Sequence, residues 1–197
     1  MIIGITGAFA VGKSYFVAEN MDRWADLCPS IHVVQADYAS EYRLSVKTNT
    51  WIVKEDVTVW KKTQEQKLDH LNHMLYNGLY VIESARYFGG LDKYLLDIKD
   101  IRKYLKFIVA YTDSTAMKLF MKERCKIVGK KFNEPYWELN KLEYECKTRY
   151  INTIVTRYRK YSVEVKDIYI DKNRNGWGAA EILMEGWINE NCTNKRK

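Results

Sequence analysis

Lys13 and Ser14 close the stretch Gly7-Ala8-Phe9-Ala10-Val11-Gly12-Lys13-Ser14, which fits G-x-x-x-x-G-K-[ST] at every fixed position. The chemistry of that spacing is anion binding. Glycines let the backbone curl so that successive N–H groups converge on an anion, and the N-terminus of a following helix adds favourable potential. Lys13 would reach the β- and γ-phosphates of a nucleoside triphosphate, while the Ser14 hydroxyl would ligate Mg²⁺. An accidental match inside an apolar run is the other reading. The flanking sequence decides against it, because the motif needs a strand before it and a helix after it.

Both flanks are present. Ile2–Thr6 is a short apolar, β-branched run bounded by glycine, the pattern of a buried parallel strand. Beyond the loop, a helix is expected to about Trp24. Four more strands are predicted at Ile31–Asp37, Leu79–Ser84, Lys106–Asp113 and Val165–Asp171, with Asp37, Glu83, Asp113 and Asp171 at or beside their carboxyl ends. Between the second and third, "EYRLSV" reads as a short helix and "KTNT" as a polar break. A helical stripe of Val57, Trp60, Leu68, Leu71 and Leu75 follows from Lys54 to Tyr76, stopped at Asn77-Gly78. "GGLDKYLLDIKDIRKYL" supplies a turn and a helix. Helical sequence from about Ser114 to Lys160 is punctuated at Gly129 and Pro135, and "AAEILMEGWINE" closes the chain before a frayed "NKRK" tail. Alternating strands and helices predict a three-layer α/β sandwich on a five-stranded parallel sheet, with ligands bound beyond the carboxyl ends of the strands.

Composition sets the bounds. The chain of 197 residues is 47% hydrophobic and 14% aromatic, with 15 Tyr against 2 Pro and 10 Gly, enough for one packed domain and unlike a disordered chain. No apolar run approaches the roughly 20 residues of a membrane helix, and no basic leader precedes the first strand, so a cytoplasmic protein without a membrane partner is expected. Cys28, Cys125, Cys146 and Cys192 form no C-x-x-C pair and are expected to be reduced. The net charge is +7. Between Thr115 and Lys166 stand thirteen Lys and Arg against six Glu, so this one segment carries the whole excess. A localised basic surface suits a phosphate-rich ligand, although a solvated helical face has the same composition.

Two tempting motifs fail on spacing. Asn140-Lys141-Leu142-Glu143 resembles a guanine reader but ends in Glu and lies in helical sequence. Asp171-Lys172-Asn173-Arg174-Asn175-Gly176 begins like a calcium loop, yet its twelfth position is Ile182 and two basic residues lie inside it. His70 and His73 share a helical face with no third ligand, and Tyr15, Tyr38, Tyr42, Trp51 and Trp60 read as core aromatics more readily than as a base-stacking platform.

Taken together, "GAFAVGKS", "VVQADY", "LYVIESAR", "MKERCKIVGKK" and "DIYIDKNRNG" make the chain similar to the nucleoside/nucleotide kinase-like group of P-loop kinases over essentially its whole length. The Ala-Asp pair of "VVQAD" and the Asn-x-Gly turn of "YIDKNRNG" resemble dephospho-coenzyme A kinases. "ADYASEYR" and the helix-Gly-strand approach "MLYNGLYVIES" resemble polynucleotide kinases of the phage type. The resemblance implies an ATP- and Mg²⁺-dependent phosphotransferase in which Gly7 to Tyr15 cradle the triphosphate. It also implies that backbone around Asn173 and Asn175 wraps the adenine, and that the basic helices of about 114–160 form a lid bringing Arg124 to the transferring group. Lys122, Lys126, Lys130 and Lys131 would make weaker contacts.

Asp37 matches the position of the family's catalytic carboxylate, which takes the proton of the acceptor hydroxyl; its alternative role is a helix N-cap. Glu83 would hold Mg²⁺ or fix the acceptor. Arg86 would clamp an acceptor phosphate, although "ESAR" departs from the Asp-Arg-Ser of deoxynucleoside kinases. The acceptor expected is a nucleoside, nucleotide or similar small molecule. Two alternatives stand beside it: a nucleic-acid acceptor, reached at a 5′ end or a modified base, and a non-catalytic nucleotide-binding sensor.

Overall fold

A computed structural model describes residues 1–8, 10–35, 40–45, 50–55, 78–83, 98–127 and 129–193. Strand β1 (Ile2–Gly7) is buried along its whole length and lies between β5 (Leu79–Glu83) and β6 (Leu105–Tyr111), parallel to both. Buried on both faces, it needs the continuous β-branched run that the sequence supplies. β2 (Ile31–Gln35) adds outside β5 and β7 (Glu164–Tyr169) outside β6, again in parallel. These five form the parallel core expected from the sequence.

The sheet does not stop there. β3 (Ser40–Ser45) and β4 (Thr50–Glu55) extend it antiparallel beyond β2, giving seven strands in the order β4-β3-β2-β5-β1-β6-β7. The short helix read into "EYRLSV" is therefore a strand, Thr50 of the polar break opens another, and Lys54 and Glu55 end it instead of starting a helix. Alternation explains the correction: Tyr42 and Leu44 sit two apart in β3, opposite Val53 and Trp51 of β4. A period of two and aromatic or β-branched partners favour a ladder over a helical turn. The remainder of the predicted 54–76 helix, its His70–His73 pair and the part of the "GGLDKYLLDIKDIRKYL" helix up to 97 lie outside the described residues. The end of that predicted helix is corrected, since Asp100 is left-handed, Ile101–Lys103 is a single 3-10 turn and Leu105 already opens β6.

Helices cover both faces. α1 (Lys13–Leu27) buries Phe16, Val17, Met21 and Trp24, a helical stripe, and runs three residues beyond its predicted end. It packs with α4 (Trp177–Thr193) over Ile3, Ile5, Val81, Ile108 and Ala110. Arg23 of α1 is ion-paired to Glu181 and Glu185 of α4. Cys28, just after α1, and Cys192, in the last turn of α4, form a disulfide with Cα atoms 5.8 Å apart. The expectation of four reduced cysteines is thus corrected: Cys28 and Cys192 lie 164 residues apart, a pairing that no local spacing signals.

α2 (Ser114–Ile127), whose buried Ala116, Met117 and Phe120 join the same cluster as α1 and α4, leads into α3 (Glu134–Lys160), which covers the other face. The Asn133 side chain caps α3 by accepting from the Tyr136 N–H at 3.0 Å, with Pro135 in the first turn. The basic segment has two unlike halves. Ile151, Ile154, Val155 and Tyr158 are buried, and Tyr158 packs on Phe107 of β6 at 4.8 Å between ring centroids. This end of α3 is a layer of the core. Toward its N-terminus Tyr136, Leu139 and Leu142 are exposed, while Trp137 is buried. Lys118 bridges Glu134 and Glu138 across the two helices, and Lys122 reaches Glu134 at 3.4 Å.

Candidate phosphate-binding site

The β1 register brings the loop to the carboxyl end of the sheet. Gly7, opposite Ala110 of β6, has φ of +130°, and a Cβ there would lie 2.1 Å from the Ala110 carbonyl oxygen. Only glycine permits so close an approach. The chain then hands over from ladder to loop, as the Ala8 N–H donates to that same oxygen at 2.8 Å. Phe9 lies outside the described residues. Ala10 (φ 58°) and Gly12 (φ 96°) take left-handed conformations, the backbone required of a curled anion nest, and Gly12 caps α1.

Lys13 is buried, and its ammonium donates to the Ala8 carbonyl at 2.8 Å, folding the side chain back across the loop. The Ser14 hydroxyl donates to Glu83 Oε2 at 3.2 Å. Glu83 is buried at the end of β5, level with Ile5 of β1, so strand pairing rather than a flexible loop delivers its carboxylate. Two residues 69 apart in sequence are thereby joined into one oxygen-donor pair at the mouth of the loop. Tyr15 points outward and is exposed; its hydrogen bond to Glu19, and that neighbour's charge, raise the phenol above its ordinary pKa.

The other candidates divide. Asp37 and Arg86 lie outside the described residues. Arg124 is exposed in the last turn of α2, where a cation complements the helix dipole, and has no acidic partner among the described residues. Asn173 and Asn175 are organised by Asp171: its carboxylate accepts from both backbone N–H groups, at 2.8 and 2.9 Å, and from the Asn175 side-chain amide at 2.8 Å. The Asn175 amide, helped by these N–H groups, holds the Asp171 carboxyl below its ordinary pKa. Asp171 is therefore a loop-former here.

Asp113 is likewise a cap. β6 ends at Tyr111, and the Asp113 carboxylate accepts from the Ala116 N–H at 2.8 Å and from the Tyr169 hydroxyl at 2.6 Å. "TDSTA" carries the signal, an Asp followed by a helical run.

Sequence reasoning missed Arg174 and Trp177. The Trp177 indole N–H donates to the Val11 carbonyl at 3.0 Å, and Arg174 Nη1 lies 3.5 Å from the same oxygen. Arg174 Nη2 pairs with Glu123 of α2 at 2.8 Å, and its guanidinium lies 4.2 Å over the Phe120 ring. Both residues are more than 160 positions from Val11, so no local pattern exposes the contact.

No family model matches the chain, and no curated protein matches it in sequence. Among solved structures, a gluconokinase from Sinorhizobium meliloti 1021 is similar over 98% of this chain and 94% of its own, at 14% identity and a TM-score of 0.43. The fold rests on the geometry above. The strand order, the glycine-lined turn after β1 and the helix opening at Lys13 are those of a P-loop α/β fold. Among the described residues no helix is long and apolar enough to cross a membrane, and no cluster of three His, Cys, Asp or Glu side chains could hold a metal alone. A cation at Ser14 and Glu83 would draw its remaining ligands from phosphate and water.

Proposed function

We infer that this chain is a kinase that moves the γ-phosphate of ATP to a hydroxyl of a nucleoside, nucleotide or similar small acceptor. The observation that carries the reading is the meeting of Lys13, Ser14 and Glu83 beside a left-handed, glycine-flanked loop. Lys13 would leave the Ala8 carbonyl for the β- and γ-phosphates, and the loop N–H groups would neutralise the remaining charge. The Ser14 hydroxyl and Glu83 carboxylate are hard oxygen donors that would hold Mg²⁺, whose charge would offset that of the phosphates. Asp37 would accept the proton of the attacking hydroxyl as the new O–P bond forms and the bond to the β–γ bridging oxygen breaks, releasing ADP. Arg86 would hold an acceptor phosphate, and Arg124 would approach the transferring group from the lid.

One observation favours a second reading, an acceptor hydroxyl carried on DNA or RNA. Arg124, Lys126, Lys130 and Lys131 are exposed around the α2–α3 turn without an acidic partner among the described residues, more cation than a triphosphate needs. One assay tests both readings. Transfer of labelled γ-phosphate is followed over a panel of nucleosides, mononucleotides, dephospho-coenzyme A, gluconate and single-stranded oligonucleotides, with wild type and Asp37→Asn. Label on a small acceptor that Asp37→Asn loses supports the first reading. Salt-sensitive labelling of oligonucleotides alone supports the second. Undiminished transfer by Asp37→Asn overturns the mechanism, and labelling of no acceptor leaves the nucleotide-binding sensor.

A further inference from the structure

We propose that Arg174 and Trp177 form a brace, built from the far end of the chain, that sets the anion-binding geometry of the loop; this rests on the phosphate-binding reading of that loop. The Val11 carbonyl accepts from both side chains, at 3.5 and 3.0 Å, and so points out of the loop toward α4. A peptide unit is planar and trans, with its C=O and N–H directed oppositely. Fixing the Val11 oxygen outward therefore turns the Gly12 N–H inward, to the side where a nest binds its anion. A reversed peptide would present carbonyl lone pairs to the phosphate and repel it.

The brace is itself held rigid. The Trp177 ring stacks on Phe16 of α1, with centroids 4.5 Å apart and planes 18° from parallel. Arg174 is held by the Phe120 ring and Glu123, both on α2. Gly12 packs directly beneath, since a Cβ there would come within 2.9 Å of Arg174 Nη1 and 3.6 Å of Trp177 Nε1. Arg174 and Trp177, held in turn by α2 and α1, thus meet on one peptide oxygen. Arg174 and Trp177 are positioning residues, because they act on the ligand only through the Val11–Gly12 peptide. Through Glu123, Arg174 also ties the setting of this peptide to α2.

The test uses the full chain and two probes, Mg·ATP and Mg·pyrophosphate, titrated calorimetrically. Trp177→Phe keeps a ring to stack on Phe16 and deletes the N–H donor; Arg174→Met, on a partly exposed loop, serves should the first variant fold poorly. Each is expected to weaken both probes about 3- to 10-fold, the value of one hydrogen bond. The melting temperature without ligand should stay within about 3 °C, since only one bond of a large domain is lost. The Gly12 amide resonance should shift while amides in the middle of α1 stay in place, which a general loosening of structure would not produce. Affinities within twofold of wild type and an unmoved Gly12 amide would overturn the brace. A wild-type chain that binds pyrophosphate but not ATP would sink the kinase reading and leave the brace to be judged on pyrophosphate. Binding of neither probe would overturn both.

Discussion

Replacing Gly7 by alanine puts a methyl carbon 2.1 Å from the Ala110 carbonyl oxygen, 2.6 Å from its nitrogen and 2.8 Å from its carbonyl carbon. All three are backbone atoms of β6, a strand hydrogen-bonded to β1 on one side and β7 on the other, so neither partner can retreat alone. Holding an L-residue at φ of +130° adds strain of its own. Left-handed strain of about 1–2 kcal/mol, overpacking of about 1–3 kcal/mol and loss of the Ala8 hydrogen bond at about 1 kcal/mol sum to roughly 3–6 kcal/mol. At roughly 2–4 °C per kcal/mol for a chain of this size, the midpoint should fall by roughly 6–24 °C. Gly12→Ala is the control. It shares the backbone strain, but its methyl meets only the ends of the Arg174 and Trp177 side chains, which can give way. That variant should lose only about 1–2 kcal/mol and yet bind Mg·ATP poorly, because the brace is displaced. Thermal melts followed by circular dichroism decide it. A Gly7→Ala midpoint within about 3 °C of wild type, or a Gly12→Ala midpoint below that of Gly7→Ala, would refute the reasoning.

Asp113→Ala should cost about 0.5–2 kcal/mol at neutral pH by uncapping α2, read as a lower urea midpoint. Because the Tyr169 hydroxyl and the Ala116 N–H hold the folded carboxyl below its ordinary pKa, the benefit is complete above the unfolded value of about 4 and is lost as pH falls through the folded one. The gap between wild type and variant should therefore be full above the unfolded value of about 4 and shrink as pH falls below it; a constant gap would exclude a charged cap. Reduction of Cys28–Cys192, or Cys192→Ser, should remove about 2–4 kcal/mol, since the bridge closes a very long loop. Dithiothreitol should then lower the melting point of wild type and leave Cys192→Ser unchanged. Chelating Mg²⁺ with EDTA should weaken ATP binding at least about tenfold in wild type and much less in Glu83→Gln, whose neutral amide is a poorer ligand for the cation. An equal loss in both would separate Glu83 from the metal.

What could be read from the sequence follows the range of the contacts involved. The loop was legible because its requirements are contiguous: glycines, Lys13 and Ser14 in eight positions, with strand and helix on either side. The five parallel strands were legible because each is a short apolar run with a polar end. β3 and β4 were not, because two apolar residues two apart in "EYRLSV" give too short a pattern to separate a strand from a helical turn. Asp113 was read as a strand-end acid, although its place before a helical run is equally that of a cap. Arg174 and Trp177 stayed hidden for a different reason. Their partner is a backbone carbonyl at the opposite end of the chain, and a carbonyl leaves no trace in residue type. The disulfide joins the ends of two helices whose adjacency only the sheet order creates.

The central claim is that the loop from Gly7 to Ser14 is a triphosphate cradle with Lys13 at its centre. Its most direct test is calorimetric titration of Mg·ATP into wild type and Lys13→Met, a variant that keeps the buried aliphatic stem and removes the ammonium. Saturable binding to wild type, weakened at least about tenfold in Lys13→Met as expected for loss of a charge-assisted contact, is the predicted result. Equal affinity in the two proteins, or no binding to wild type, would contradict it.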